Sequence, residues 1–238
     1  MPSVRIRQIL AEVMVGDRHG FPARLCLVCA EKLPVSGAGL AFMTSAGHIG
    51  TITATDGAAA ELEELQQALG EGPCVDAFRD GQPVLQPDLA ATGLSRWPGF
   101  TDGALEAGVA AVFAFPLQVG AIRLGVLDLY RDSPGSLDQP QLAEALAFTE
   151  AATAILLHLQ GKAPPGQLLH PRLAEVVESR REIHQATGMI TVQAAVNVAD
   201  ALLLLQAHAF GSERPLLEVA KDVVARRLRF GPAGDHDG

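Results

Sequence analysis

The side chains of this chain that could do chemistry fall into two groups, three cysteines and a set of basic residues near the C-terminus. Cys26-Leu27-Val28-Cys29 is a CxxC pair. A structural zinc site needs four ligands, commonly two such pairs, and only Cys74 remains. A redox pair belongs at a helix N-terminus, where the dipole lowers the thiol pKa, whereas this pair falls inside a helix predicted from Pro22 to Leu33. Cys26 and Cys29 are therefore expected to be buried as small hydrophobes. Cys74 follows Gly72-Pro73 and is placed in a loop at the rim of a pocket. There it is a redox or ligand-contacting residue, or a structural thiol. Glycine-rich phosphate loops, HExxH and GxSxG are all absent, so no catalytic residue and no metal site is expected. No acidic cluster of the phosphoacceptor kind is visible, which favours a bound ligand or partner over phosphorylation as the signal.

The second group is Arg180, Arg181, His184, Lys221, Arg226 and Arg229. Such side chains can pair with RNA phosphates or stack on unpaired bases. The competing reading is an ordinary solvated surface, where Lys and Arg usually lie. Lys221, Arg226 and Arg229 project from the polar side of the last helix, whereas Arg227 is placed nearer its apolar face, in a structural role. The charge distribution restricts where a polyanion could bind. Residues 1–169 carry 10 Lys/Arg against 18 Asp/Glu, while residues 170–230 carry 8 against 7. Any nucleic-acid contact must come from the last third.

The elements that position these residues are legible from periodicity and turn signals. Val4–Val15 and Pro22–Leu33 read as helices. Gly39–Met43 and His48–Ala54 read as strands joined at Ser45-Ala46-Gly47. Ala58–Leu69 is a helix stopped by Gly70. Pro83–Leu85 is a short edge strand, because Pro83 cannot donate to a ladder. After a long loop, Ala110–Val119 and Ile122–Tyr130 form a second hairpin, and Gln141–Gln160 is an apolar-faced helix. An antiparallel sheet with helices packed on it is the α+β arrangement this order implies. The clearest break is Gly161-Lys162-Ala163-Pro164-Pro165-Gly166. It separates a domain at 1–160 from an all-α module at 167–230, with 161–166 as linker and 231–238 as a flexible tail.

The module reads as three helices. The first spans Pro171–Gln193 with a loose apolar stripe at Leu173, Val176, Val177, Ile183 and Ile190. The second is capped by Asn197 and runs to Phe210, with Val198, Ala201, Leu202, Leu205 and Ala209 as its buried face. The third starts with Pro215 as its first residue and buries Leu216, Val219, Ala220, Val223 and Val224. Leu203 and Leu204 flank the stripe of the second helix and either meet another surface or widen the core. The apolar surface of the long helices leads to the expectation of a homodimer.

Two resemblances follow from these residues. Ile183-His184-Gln185-Ala186-Thr187-Gly188-Met189-Ile190, then Ala201-Leu202 and Leu205, then Arg214–Val224 resemble the ANTAR domain. That resemblance implies binding of paired hairpins in a nascent leader RNA and transcription antitermination. Thr187 stands where many members carry Lys, and Gln206 where Arg often occurs, so two phosphate-facing cations are missing. Leu69-Gly70-Glu71-Gly72-Pro73-Cys74 and Gly125-Val126-Leu127-Asp128-Leu129-Tyr130 resemble a GAF sensor domain, which implies an unknown small-molecule ligand or partner. The implied whole is a signal-responsive RNA-binding regulator. Two alternatives remain: a sensor whose helical module serves only protein interaction or dimerisation, and a GAF-type thiol reductase using the three cysteines.

Composition bounds these readings. The chain has 238 residues, 48% hydrophobic and 19% charged, with a net charge of −9. That is long enough for a sizeable core and too apolar for disorder. No stretch reaches the ~20 apolar residues of a membrane span, and no signal peptide is evident, so a cytoplasmic protein with no membrane partner is expected.

Overall fold

The computed structural model describes residues 4–15, 20–44, 47–162, 171–212 and 214–231, with backbone only at 44, 47–49, 171–173, 175–180, 199 and 210. Two compact units result, Met1–Ala174 and Glu175–Gly238.

The first unit is built on a five-stranded antiparallel sheet. Its strands are β1 (Gly37–Thr44), β2 (Gly47–Ala54), β3 (Val84–Gln86), β4 (Ala111–Val119) and β5 (Ile122–Arg131). They lie in the order β2-β1-β5-β4-β3. The short β3 is at an edge directly after Pro83, where the missing N–H costs no ladder bond. Side chains alternate between two faces. Ala38, Leu40, Phe113, Phe115, Leu127 and Leu129 pack under α1 (Val4–Val13), α2 (Phe21–Lys32) and α7 (Gln139–Gln160). The opposite face carries Ala41, Met43, Val112, Ala114, Val126 and Tyr130. It is covered by α3 (Gly57–Leu69), α4 (Pro73–Asp80), α5 (Leu89–Thr92) and α6 (Pro98–Glu106).

Capping explains where these helices begin. The Asp56 carboxylate accepts the Ala59 N–H (2.8 Å) at the start of α3, and Asp138 with Gln141 forms a capping box that opens α7 two residues earlier than expected. Gly70 ends α3 in the left-handed conformation (φ 65°). The long loop expected before the second hairpin instead holds α4, α5 and α6. Pro73 and Pro98 stand as first helical residues, and Asp88 caps α5. Short helices of this kind carry too few turns for a periodic signal.

By length and composition α7 is apolar enough to cross a membrane, with a mean hydropathy of 1.4 over its best window, contrary to the expectation that no segment qualifies. Here it is a core helix. Phe148, Ile155, Leu156 and Leu159 are buried against the sheet, and Glu144 on its outer side pairs with Arg5 of α1.

The second unit contains α8 (Pro171–Ala194) from Glu175 onward, α9 (Val198–Gly211) and α10 (Leu216–Val224). Its core joins Ala186, Ile190 and Ala194 to Ala201, Leu205 and Ala209 and to Val219, Ala220 and Val223. Asn197 caps α9 by accepting the Asp200 N–H (2.9 Å). Two details differ from expectation. Val198 is 64% exposed, because the packed positions of α9 begin one turn later at Ala201. Pro215 sits at the cap of α10 in extended backbone, one residue before the helix. Of the expected stripe on α8, Ile190 is buried and Ile183 partly buried, while the side chains of Leu173, Val176 and Val177 fall outside the described residues, as do 163–170 of the linker region and 232–238 of the tail.

Candidate functional site

On the inner face of the first unit three elements bring polar side chains together in an apolar setting. Asp128 is on β5, facing the same side as Val126 and Tyr130. Its register partners are Gly39 on β1 and Ala114 on β4. Glu63 descends from α3 into the space over Gly39. A Cβ on Gly39 would come 2.3 Å from Glu63 Oε1, so glycine there makes room for the carboxyl. Cys74 is the second residue of α4, and its thiol lies 3.4 Å from Met43 Sδ. Gln66, one turn beyond Glu63, ties the group together. Its Nε2 donates to Asp128 Oδ2 (3.2 Å), and its Oε1 accepts the Cys74 N–H (2.7 Å). Gly72 leaves the space that Gln66 occupies, and its φ of 132° also excludes a side chain.

Glu63, Gln66, Cys74 and Asp128 are all buried to 1% exposure or less. Burial therefore sets their protonation. It raises the Glu63 carboxyl to about 7, partly offset by a hydrogen bond with Asp128. Desolvation, then the charge of Glu63, holds Asp128 well above the usual carboxylate range. Desolvation, reinforced by the two carboxyls, holds the Cys74 thiol well above 9. The two carboxyls lie within 4.8 Å of each other, so their titrations are coupled.

Cys74 is therefore not in a loop and not at a rim. Gly72-Pro73 begins a helix and carries the thiol into the core. Cys26 and Cys29 lie inside α2 and are fully buried free thiols, with desolvation raising both. Around the cluster the face is closed by Trp97, whose Nε1 donates to Asp76 (3.1 Å), and by Tyr130, whose hydroxyl donates to Asp56 (2.7 Å). Arg96 lies over the Trp97 ring at 4.2 Å. Glu63 and Asp128 are the site residues that sequence reasoning missed. The available signal was an aspartate in the middle of the apolar strand Gly125–Tyr130.

Arg226 and Arg229 line an open groove of about 560 Å³, together with Gln185, Gly188, Met189, Val192 and Gln193 of α8. They were expected to project from α10, but that helix stops at Val224. The Arg227 N–H turns back to the Asp222 carbonyl (2.8 Å), with Arg226 left-handed at φ 60°. The segment is pinned to α8 where the Phe230 N–H donates to Gln193 Oε1 (3.0 Å). Lys221 is outside the groove, 4.0 Å from Glu182. Arg181 and His184 are exposed on α8 and are not among the groove's walls, while the Arg180 side chain is outside the described residues. Arg227 is exposed rather than near the apolar face. It clamps Asp222 from one side (2.7 Å) with Arg214 on the other (2.7 Å), and the two cations hold that carboxyl below its ordinary range. Thr187 is 3% exposed and donates to the Ile183 carbonyl (2.8 Å), so this position turns inward.

Comparison with known proteins adds the following. A family model described as GAF domain matches residues 23–157. Two solved structures share the fold of this region. One is the GAF domain from an Acinetobacter phosphoenolpyruvate-protein phosphotransferase, at 9% identity and TM-score 0.51, covering 68% of this chain and 95% of that one. The other is the GAF domain from a Coxiella burnetii phosphoenolpyruvate-protein phosphotransferase, at 16% identity and TM-score 0.50, covering 66% and 94%. No curated protein matches.

Proposed function

This chain belongs to the GAF domain family, and from that premise we propose a signal-responsive regulator that binds hairpin RNA. In this reading the GAF sensor domain takes a small-molecule ligand or a partner. The helical unit, which resembles an ANTAR module, engages paired hairpins of a leader transcript and keeps a terminator from forming.

The observation that carries the RNA reading is the groove of the second unit. Arg226 and Arg229 line it together with the amide side chains of Gln185 and Gln193 and with Gly188, Met189 and Val192 of α8. Cations for phosphate, amides for base edges and an apolar surface for an unstacked base are the combination that single-stranded RNA loops require. The inward turn of Thr187 also supports the reading. A residue packed in the core would not have met phosphate, so its difference from the usual lysine costs little affinity.

The test is a titration of the full chain with an RNA of two adjacent hairpins at several salt concentrations. Replacing Arg226 and Arg229 with alanine is expected to weaken binding more than tenfold. It is also expected to reduce the log–log salt slope by about 0.7 for each phosphate that is no longer neutralised. Unchanged affinity and slope would refute the assignment.

A second reading has its own support. Val198, Leu203 and Leu204 are 64%, 56% and 38% exposed on α9, which suits a helical unit that meets a protein surface or a second copy of the chain. Thiol reductase chemistry is disfavoured. All three thiols are buried and held protonated, while the nucleophile in such chemistry is an accessible thiolate. The proposal therefore assigns no reaction to this chain.

A further inference from the structure

We propose that Glu63, Cys74 and Asp128 form a binding site for a divalent cation of the zinc class inside the sensor domain. One ligating atom from each residue lies within 4.8 Å of the other two. The three come from α3, α4 and β5, so folding alone assembles them. Their spacing in the sequence carries no metal motif.

An independent observation points to a ligand. Asp128 is 1% exposed, and its Oδ1 has no hydrogen-bond partner. A buried carboxylate oxygen without a donor carries a desolvation penalty that a bound cation would remove. Its other oxygen is held by the Gln66 amide, which is itself fixed to the Cys74 backbone. This is the outer-shell restraint that orients a ligating carboxylate.

The donor set selects the ion. Calcium and magnesium take all-oxygen shells, whereas a thiolate beside two carboxylates suits zinc, cobalt(II) or iron(II). Met43 Sδ, 3.4 Å from Cys74 Sγ, adds a softer donor next to the three. Bonds of about 2.1 Å to oxygen and about 2.3 Å to sulfur put tetrahedral ligands roughly 3.5 Å apart, so binding draws the ligating atoms, now within 4.8 Å of one another, together by at most about 1.3 Å. The proton balance is explicit: the ion displaces the thiol proton of Cys74 and whatever protons the two carboxyls hold, and these leave to solvent. Affinity must therefore rise with pH. This inference rests on the first unit alone and is independent of RNA binding by the second.

The test titrates the full, metal-stripped chain with cobalt(II) and follows the thiolate-to-metal charge-transfer absorption, with zinc as competitor. One equivalent is expected to bind, with the band abolished by Cys74→Ser and retained in a Cys26→Ser/Cys29→Ser variant. Glu63→Gln and Asp128→Asn, which preserve shape, are expected to weaken binding about tenfold or more while circular dichroism stays native. Absence of the band in the native chain overturns the proposal, and so does its survival in Cys74→Ser. If Cys74→Ser does not fold, the two amide variants decide, and native affinity in both overturns it.

Discussion

Burial acts strongly on the carboxyls of Glu63 and Asp128. The folded chain raises Glu63 from 4.5 to about 7 and moves Asp128 in the same direction. The native state then holds more protons than the unfolded state between those values. Its stability is full below pH 4.5 and falls as pH rises through 7. With a chelator present, Tm is expected to drop between about pH 5 and pH 8. Glu63→Gln, which keeps the shape and cannot ionise, should flatten that dependence and gain on the native chain at the alkaline end by a few kcal/mol. Parallel Tm–pH curves for the two proteins would show that Glu63 is not the titrating group.

At the scale of elements, α3 packed on the sheet brings the acid pair together, and the register of the central strands includes one close approach. Gly125 on β5 pairs with Phe42 on β1, and a Cβ there would lie 2.0 Å from the Ala41 carbonyl oxygen. That atom belongs to backbone and cannot rotate away, so the central strands must part. Gly125→Ala is expected to destabilise the first unit by at least the ~1–3 kcal/mol typical of overpacking. Gly188→Ala is the control. It adds a Cβ with nothing within 4 Å, in the interior of α8 where alanine is the better helix former. It should be neutral or slightly stabilising. Chemical denaturation followed by circular dichroism distinguishes them, and equal midpoints would contradict the register argument.

For the whole molecule the open question is assembly. Leu203 and Leu204 are exposed in the second unit as it stands, so they do not widen its own three-helix core. Changing both to glutamate is expected to leave helicity and the unfolding midpoint nearly unchanged, since surface substitutions usually stay within about 0.5 kcal/mol. The effect should fall instead on association. A dimer by light scattering at micromolar concentration would become a monomer, with a matching loss of RNA affinity if two units are needed for two hairpins. A native chain that is monomeric with and without RNA would remove the dimer from the proposed mechanism.

Local rules in the sequence determined most of the architecture. Short apolar runs separated by turn residues marked both hairpins, Gly70 and Asn197 marked helix ends, and the 3.6-residue period of Ala201, Leu205 and Ala209 marked a buried face. These signals lie within a few residues of the structure they produce. Tertiary structure decided what depends on distant segments. Pro73 begins a helix rather than a loop, which takes Cys74 from an expected rim into the core. Glu63 looked like one more charge in a helix rich in Ala, Glu, Leu and Gln. It became a site residue because Gly39, 24 positions earlier, leaves it room beside Asp128, 65 positions later. The end of α10 likewise turned Arg226 and Arg229 from a helix face into a groove wall shared with α8. Periodicity reports which face of an element is apolar. Which polar groups are trapped together under that face is set by the register of a sheet and the reach of side chains across it.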